Sequence, residues 1–482
     1  MTDSLERKKI LVIGGGLSGL STAQALTQQY SSKVEVTVLE SRRVAGGRVG
    51  SFWDPNSKAT LDYCQHVSMG CCVNFTRFLH DCGLEKDWNV SSNLTFVHRS
   101  SDAFQIKPWK WLPAPFHQLP LLWQLPFLSS SQRREVQYAM ICLARLKLDS
   151  VSKEMTAAQW LLVHRQSRKT VDEFWNIFSC SALGDEVEHV SIGSLKQLFI
   201  QGFAAHRDAA DLWIPKKPLA ELFGDKLVMH LRAKGAEVRN GVAVSEIDRQ
   251  GRGFRVKARN GECFDADHVV SSVPWYEVGK ITEGLEDLRY LSEAKSMSTS
   301  SITGIHLWFD RPLGEFDHVI GVGMAVQWIF NPVFSKSCSV NQPNHENQQD
   351  GFYYQVVISG SQKWSSLGRE CLVQQVVDEI REMMPAAEDS RLLQSRIVTD
   401  QRAVIVCRPE VEKQRPSART PLPYFHLAGD WVATGWPSTM EGAVISGRQA
   451  ATSIAETEGW PIHESIAVQP RGWLSRIILG SP

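Results

Sequence analysis

The stretch Gly14-Gly15-Gly16-Leu17-Ser18-Gly19 limits the fold of this chain more than any other. An apolar run at residues 9–13 precedes it. A helical pattern at 17–28 follows, with small residues (Ser21, Ala23, Ala25) suited to a sheet-facing side. Residues 34–40 then alternate like a strand and end at Glu40, about 20 residues beyond Gly19. A G-x-G-x-x-G alone is a weak signal. Set between a strand and a helix, with an acid at that distance, it predicts a βαβ unit that grips a dinucleotide. Gly14 permits the tight turn, Gly16 lets the backbone approach a pyrophosphate, and Gly19 lets the helix pack on the strand. The helix start at Leu17 and Ser18 offers free N–H groups to the phosphates. Glu40 is expected to accept both ribose hydroxyls and to repel a 2′-phosphate.

Two further segments separate FAD from NAD. Ser41 and Arg42 lead to Gly46-Gly47-Arg48, a second glycine turn with a cation that can follow the pyrophosphate toward a flavin. Far along the chain, Leu427-Ala428-Gly429-Asp430-Trp431 is followed by Gly435-Trp436-Pro437 and Met440-Glu441-Gly442-Ala443. A carboxylate at Asp430, after Gly429, can accept from ribityl hydroxyls. The helix opening at Met440, Glu441 and Ala443 would turn its N–H dipoles toward the flavin edge that gains negative charge on reduction. Val244 and Trp436 complete the expected cofactor set. No cysteine lies between 427 and 450, so the FAD is expected to be non-covalent.

Composition narrows the class. The 482 residues suggest two or three domains, and 43% hydrophobic content supplies a large core. Lys+Arg 52 against Asp+Glu 52 leaves no basic excess for nucleic acid. Ten cysteines without ligand spacing predict reduced thiols and no metal site. The absence of a signal-like leader and of an apolar stretch of about 20 residues predicts a cytoplasmic protein, at most peripheral on a membrane.

The expected architecture is α/β. A discontinuous Rossmann-like FAD-binding domain takes residues 1–75, 215–290 and 395–455. An inserted α+β substrate domain takes 76–214, mainly helical, and 291–394. Residues 456–482 form a C-terminal tail. Residues 340–350 are polar and read as a surface loop. Prolines between 108 and 126 argue against one long helix there.

The end motifs resemble the flavin amine oxidase/phytoene desaturase superfamily. More of the chain resembles the hydroxysqualene dehydroxylases, also called squalene-associated FAD-dependent desaturases. The matching stretches are Asp62-Tyr63-Cys64-Gln65-His66-Val67, Leu112-Pro113-Ala114-Pro115, Asp211-Leu212-Trp213-Ile214-Pro215, residues 307–312 and 327–330, and above all 415–448, with Thr434-Gly435-Trp436-Pro437. Cys64 departs from the family's usual Gly, and Met69-Gly70-Cys71-Cys72 is an unusual version of the next turn. The resemblance implies reductive removal of a hydroxyl from hydroxysqualene, giving squalene by hydride from reduced flavin N5. On that reading His66 is the acid and Asp62 orients it. Trp109, Trp111, Phe116, Trp123, Trp308, Trp328 and Trp436 would line an apolar tunnel. Residues 109–128 and 473–478 would touch the bilayer that holds the isoprenoid substrate. The alternative is a phytoene- or carotenoid-type desaturase, in which oxidised flavin takes the hydride. An amine oxidase and a non-catalytic flavin-bound prenyl-lipid carrier come behind. A second G-x-G-x-x-G is absent, so an external reductant or electron-donor protein is expected.

Overall fold

The computed structural model describes residues 7–99, 101–150, 154–332, 351–463, 466–467 and 469–479. The stretch 340–350 lies outside the described residues.

A five-stranded, all-parallel sheet anchors the first half of the architecture. Its order is Glu237–Asn240, Val34–Glu40, Lys8–Ile13, His268–Ser271, Phe425–Leu427. Strands from three distant parts of the chain therefore share one sheet. The strand Lys8–Ile13 is apolar on both faces because both are covered. Ile10 and Val12 pack with Leu20, Val444 and Ile454 under the helices Leu17–Tyr30 and Met440–Glu458. Leu11 and Ile13 face the other way, toward Phe254, Val256 and Trp275. That second layer contains an antiparallel meander, Val244–Gln250, Gly253–Ala258 and Cys263–Ala266. The chain over 237–250 is thus divided between two sheets, with a turn at Gly241, whose φ is +77°.

The second unit is built on a seven-stranded sheet, ordered Leu392–Ile405, Thr299–Phe309, Phe352–Ser359, Trp328–Phe330, His318–Val322, Leu94–His98, Ser101–Ile106. Ile305, Leu307, Val356 and Ile358 pack against Val376 and Ile380 of the helix Arg369–Met383. Phe96, Ile320 and Val322 face the helical layer through Phe174, Phe199 and Leu195.

The helical segment 76–214 also holds strands, and one expected boundary moves. The segment 76–214 carries four strands besides its helices: Trp88–Ser91, Leu94–His98, Ser101–Ile106 and Leu212–Pro215. The boundary placed at 395 falls inside Leu392–Ile405, which pairs along Thr299–Phe309. Backbone hydrogen bonds therefore carry the second sheet through residue 405. The chain after Gly459 is also tied down. Tyr30 Oη donates to Pro461 O at 2.9 Å, and Ala467 N donates to Asn74 Oδ1 at 2.7 Å.

Candidate functional site

The glycine turn sits at the C-terminal end of Lys8–Ile13, where ligands bind in open parallel sheets. Gly14 has φ +108°, and a Cβ there would lie 2.8 Å from Ser272 Oγ. A Cβ on Gly19 would collide with the carbonyl of Gly14. Ser272 Oγ donates to that same carbonyl at 2.7 Å and pins the turn. The helix Leu17–Tyr30 starts at Gly16 with no capping side chain and no acid in its first turn. Its open N–H groups and the space beside Gly16 suit a pyrophosphate, and Gly47 packs so close that a Cβ would lie 3.0 Å from Gly16 Cα.

Glu40 ends the second strand and is buried. Gly15 N donates to its Oε2 at 2.8 Å, and Arg42 N donates to its Oε1 at 2.8 Å. Ser41 Oγ donates to Oε1 at 3.1 Å. Oε2, with one donor, keeps an accepting lone pair for a ribose hydroxyl, and Oε1, which accepts two, frees one when the Ser41 hydroxyl turns away. Arg42 donates from Nη1 to Gly47 O at 3.1 Å, so it braces the second turn. Gly46 N donates to Gly15 O at 2.8 Å, which locks the two glycine turns together. Val244 opens the meander two residues after Val242, whose N–H donates to Glu40 O at 2.8 Å.

The two ends of the chain meet at Arg48. Its guanidinium pairs with the Asp430 carboxylate, donates to Ala403 O at 2.7 Å and lies 5.3 Å over the Trp275 ring. Burial works against the cation, but Asp430 outweighs it and raises the Arg48 pKa above its ordinary value. Asp430 also accepts from Ser438 Oγ. Gly429 N donates to Ser446 Oγ at 2.9 Å. The turn is stapled from behind by buried Arg415, which donates to the carbonyls of Asp430, Val432 and Trp436, each at 2.8 Å. Trp436 is half-buried beside this turn. The helix Met440–Glu458 is capped by Thr439, whose Oγ1 accepts from Gly442 N at 3.2 Å. Ala443 is buried, and a Cβ on Gly442 would lie 2.6 Å from Pro437 O.

Glu441 does not belong with the flavin set. Its Oε1 accepts from Asn74 N at 3.1 Å and Asn74 Nδ2 at 2.8 Å, and its Oε2 accepts from Phe75 N at 2.7 Å. It caps the helix Val73–Asp81, which has no side-chain cap of its own. Burial pushes its pKa up to about 7, against the pull of these donors.

The pairing of Asp62 with His66 is likewise corrected. Asp62 Oδ1 accepts from Ser51 Oγ at 2.5 Å and from Leu219 N at 2.9 Å, at the start of the helical stretch Ala220–Lys226. Burial raises its pKa to about 7. His66 Nδ1 instead lies 2.9 Å from Cys64 O. A carbonyl only accepts, so Nδ1 carries the proton and Nε2 presents a lone pair. Burial and the nearby Arg48 charge lower the His66 pKa. The ring is a neutral proton acceptor, which argues against the acid role. Gly304 of the second sheet comes so close that a Cβ would lie 2.5 Å from Tyr63 O, so Tyr63 and Cys64 bridge the two units.

The expected tunnel aromatics scatter. Trp308 packs on Tyr353 and Leu61, and Trp328 donates from Nε1 to Ser181 Oγ at 3.1 Å. Trp111, Phe116 and Trp123 are exposed on the outside of the helical layer. Sequence reasoning missed Ser272, Ser438, Ser446 and Arg415 as supports of the site. Arg415, Ser438 and Ser446 had a signal, their place in the specific stretch 415–448, and Ser272 had none.

A glycine-turned βαβ unit closed by a distant carboxylate turn defines an FAD-binding oxidoreductase. The flavin containing amine oxidoreductase family model matches residues 17–455, and the chain belongs to that family. It is 22% identical over 490 residues to a protein of Synechococcus elongatus described as a probable zeta-carotene desaturase, covering 93% of this chain and 99% of that one. It is also 22% identical to the 15-cis-phytoene desaturase of the same organism, over 92% of this chain and 95% of the relative. A solved oxidoreductase from Methanosarcina mazei shares the fold, with TM-score 0.69, 17% identity and coverage of 93% and 100%.

Proposed function

We propose that this chain moves a hydride between FAD and an allylic carbon of a long isoprenoid, in the desaturating direction. The observation that carries this reading is the end-to-end likeness to zeta-carotene and phytoene desaturases. The state of His66 fits it. Desaturation removes a hydride from one carbon and a proton from its neighbour, and a C=C bond forms between them. Bound FAD supplies the two-electron acceptor for the hydride. His66 Nε2 takes the proton, its ring held by Cys64 O. Glu40 and the glycine turns hold the adenosine and pyrophosphate half of the cofactor. Arg48, Asp430 and the turn stapled by Arg415 fix the flavin half.

A second reading, dehydroxylation of hydroxysqualene, is favoured by the stretches from 62–67 to 415–448. There the hydroxyl leaves with a proton as water, and hydride enters from reduced flavin. It needs an acid, and neutral His66 is a poor one.

Anaerobic single turnover separates the two. Oxidised protein with phytoene should bleach its flavin and yield a more unsaturated polyene. Squalene formed from hydroxysqualene by dithionite-reduced protein, with no bleaching by phytoene, would reverse the assignment.

A further inference from the structure

Two segments far apart in the chain share an unusual composition. Residues 104–134 contain Lys107, Lys110, Arg133 and Arg134 and no acid; residues 466–479 contain Arg471 and Arg476 and no acid. Both are rich in aromatic and aliphatic side chains, in a chain whose formal net charge is +0.

The fold brings them together. The helix Trp473–Leu479 packs against the helix Ser130–Arg145. Ser475 Oγ donates to Ala204 O at 3.3 Å. The segment Ile200–Ala204 meets the turn Phe116–Gln118, and Arg207 donates from Nη1 to Lys110 O at 3.0 Å. On this neighbourhood Trp111 is 75% exposed, Trp473 68%, Ile477 73% and Trp123 50%. Trp109 holds Trp111 and Trp123 in ring contact, with centroids 6.1 and 6.4 Å away. Lys107, Arg134, Arg207 and Arg476 are exposed around them. Lys110 is outnumbered by Asp208 and Asp211, and Arg471 is buried, so the positive surface charge rests on Lys107, Arg134, Arg207 and Arg476 against one uncompensated carboxylate.

Tryptophans and isoleucines projecting into solvent within a basic rim match an anionic lipid–water interface. Trp prefers that depth, and Arg and Lys reach lipid phosphates. A lipid headgroup layer keeps such rim cations hydrated while the rings reach the acyl boundary. We infer that this composite face, formed by residues 107–123 and the helix Trp473–Leu479, docks the protein on an anionic bilayer surface. Among the described residues no helix is long and apolar enough to cross a membrane, so the contact is monotopic.

The test is co-sedimentation of the flavin-loaded protein with vesicles of phosphatidylcholine alone and of phosphatidylcholine mixed with phosphatidylglycerol. Binding is expected to the mixed vesicles, weakened by salt. The double variant Trp111→Ser/Trp473→Ser should lose affinity by at least about tenfold, with flavin absorbance unchanged as the check on folding. Arg207→Gln/Arg476→Gln should remove the preference for the anionic vesicles. Failure of the flavin-loaded protein to sediment, equal binding by the tryptophan variant, or self-association in place of vesicle binding would each overturn the proposal. No isoprenoid is present in this assay, so its outcome does not depend on the proposed reaction.

Discussion

His66 shows how a single ring nitrogen decides a chemistry. Its Nδ1 is committed to Cys64 O, and both burial and Arg48 disfavour a second proton. As a base it works only while unprotonated, so kcat should fall as pH drops below its pKa, which lies under the ordinary 6.5. His66→Gln should lower kcat roughly 100-fold or more with flavin content unchanged; near-normal turnover in stopped-flow flavin bleaching would end the assignment. Gly19→Ala tests the other end of the cofactor. Its Cβ would strike Gly14 O and Ser272 Oγ. The protein should purify colourless, and a full flavin spectrum would show that the turn can shift. The glycine roles were legible from the sequence because each follows from backbone geometry at a fixed place in a βαβ unit. The role of His66 was not. Its partner is a carbonyl two residues back, and no spacing rule distinguishes that from a pairing with Asp62.

At the scale of elements, Glu441 and Asp62 are the same device used twice. Each is a carboxylate, Glu441 buried and Asp62 half-buried, that accepts backbone N–H at the start of a helix in another part of the chain. Glu441 looked like a flavin ligand because it sits one residue into a helix that points at the cofactor. Adjacent positions on a helix differ by about 100°, so Met440 and Ala443 can face one way while Glu441 faces another. Glu441→Ala would leave buried N–H groups of Asn74 and Phe75 without an acceptor. We expect a loss of about 2–4 kcal/mol in urea unfolding, with a smaller loss for Glu441→Gln, which keeps one accepting oxygen. Equal stability of all three proteins would remove Glu441 as a cap. The helix–helix seam was easier to foresee. Small residues line the inner side of Leu17–Tyr30, and Gly447 on the facing helix comes so near that a Cβ would lie 2.8 Å from Thr22 N.

For the whole molecule, the five-stranded sheet carries its own pH sensor. His268 and His426 stand side by side in it, with nitrogens 3.1 Å apart. His268 reaches Glu458 at 3.0 Å, and His426 reaches Ser453 Oγ at 2.9 Å. All these groups are satisfied when Ser453 donates to His426, His426 to His268, and His268 to Glu458, with both rings neutral. Lys8 faces Glu458, and Arg419 adds to the positive field on His426. Burial lowers the pKa of both rings, and the His268 charge adds to it for His426. The unfolded chain therefore binds more protons below about pH 6.5, and stability contributed by the pair is lost as pH falls from there. The slope approaches about 1.4 kcal/mol per pH unit for each ring kept neutral. Asp62 and Glu441, raised to about 7, act in the opposite sense over the same range. The comparison is therefore between native protein and His426→Asn, whose unfolding free energy should decline less steeply on acidification; parallel curves would exclude the pair as the source. The fold class was readable at this scale because the two end motifs each mark a strand end of one sheet. The course of the second sheet was not, because its pairing of Leu94–His98 with His318–Val322 joins segments more than a domain's length apart in the chain.

The Arg48–Asp430 pair also orders events in time. Arg48 is made early, and its partner is 382 residues away. On a ribosome adding about 5–20 residues per second, the N-terminal half of the clamp waits on the order of tens of seconds for the strand Phe425–Leu427 to arrive. Until then one side of the strand His268–Ser271 stands unpaired, an edge open to chaperones and to wrong strands alike. Flavin captured at the moment of closure would act as the latch, so starving cells of riboflavin should lower the yield of folded protein as well as its activity.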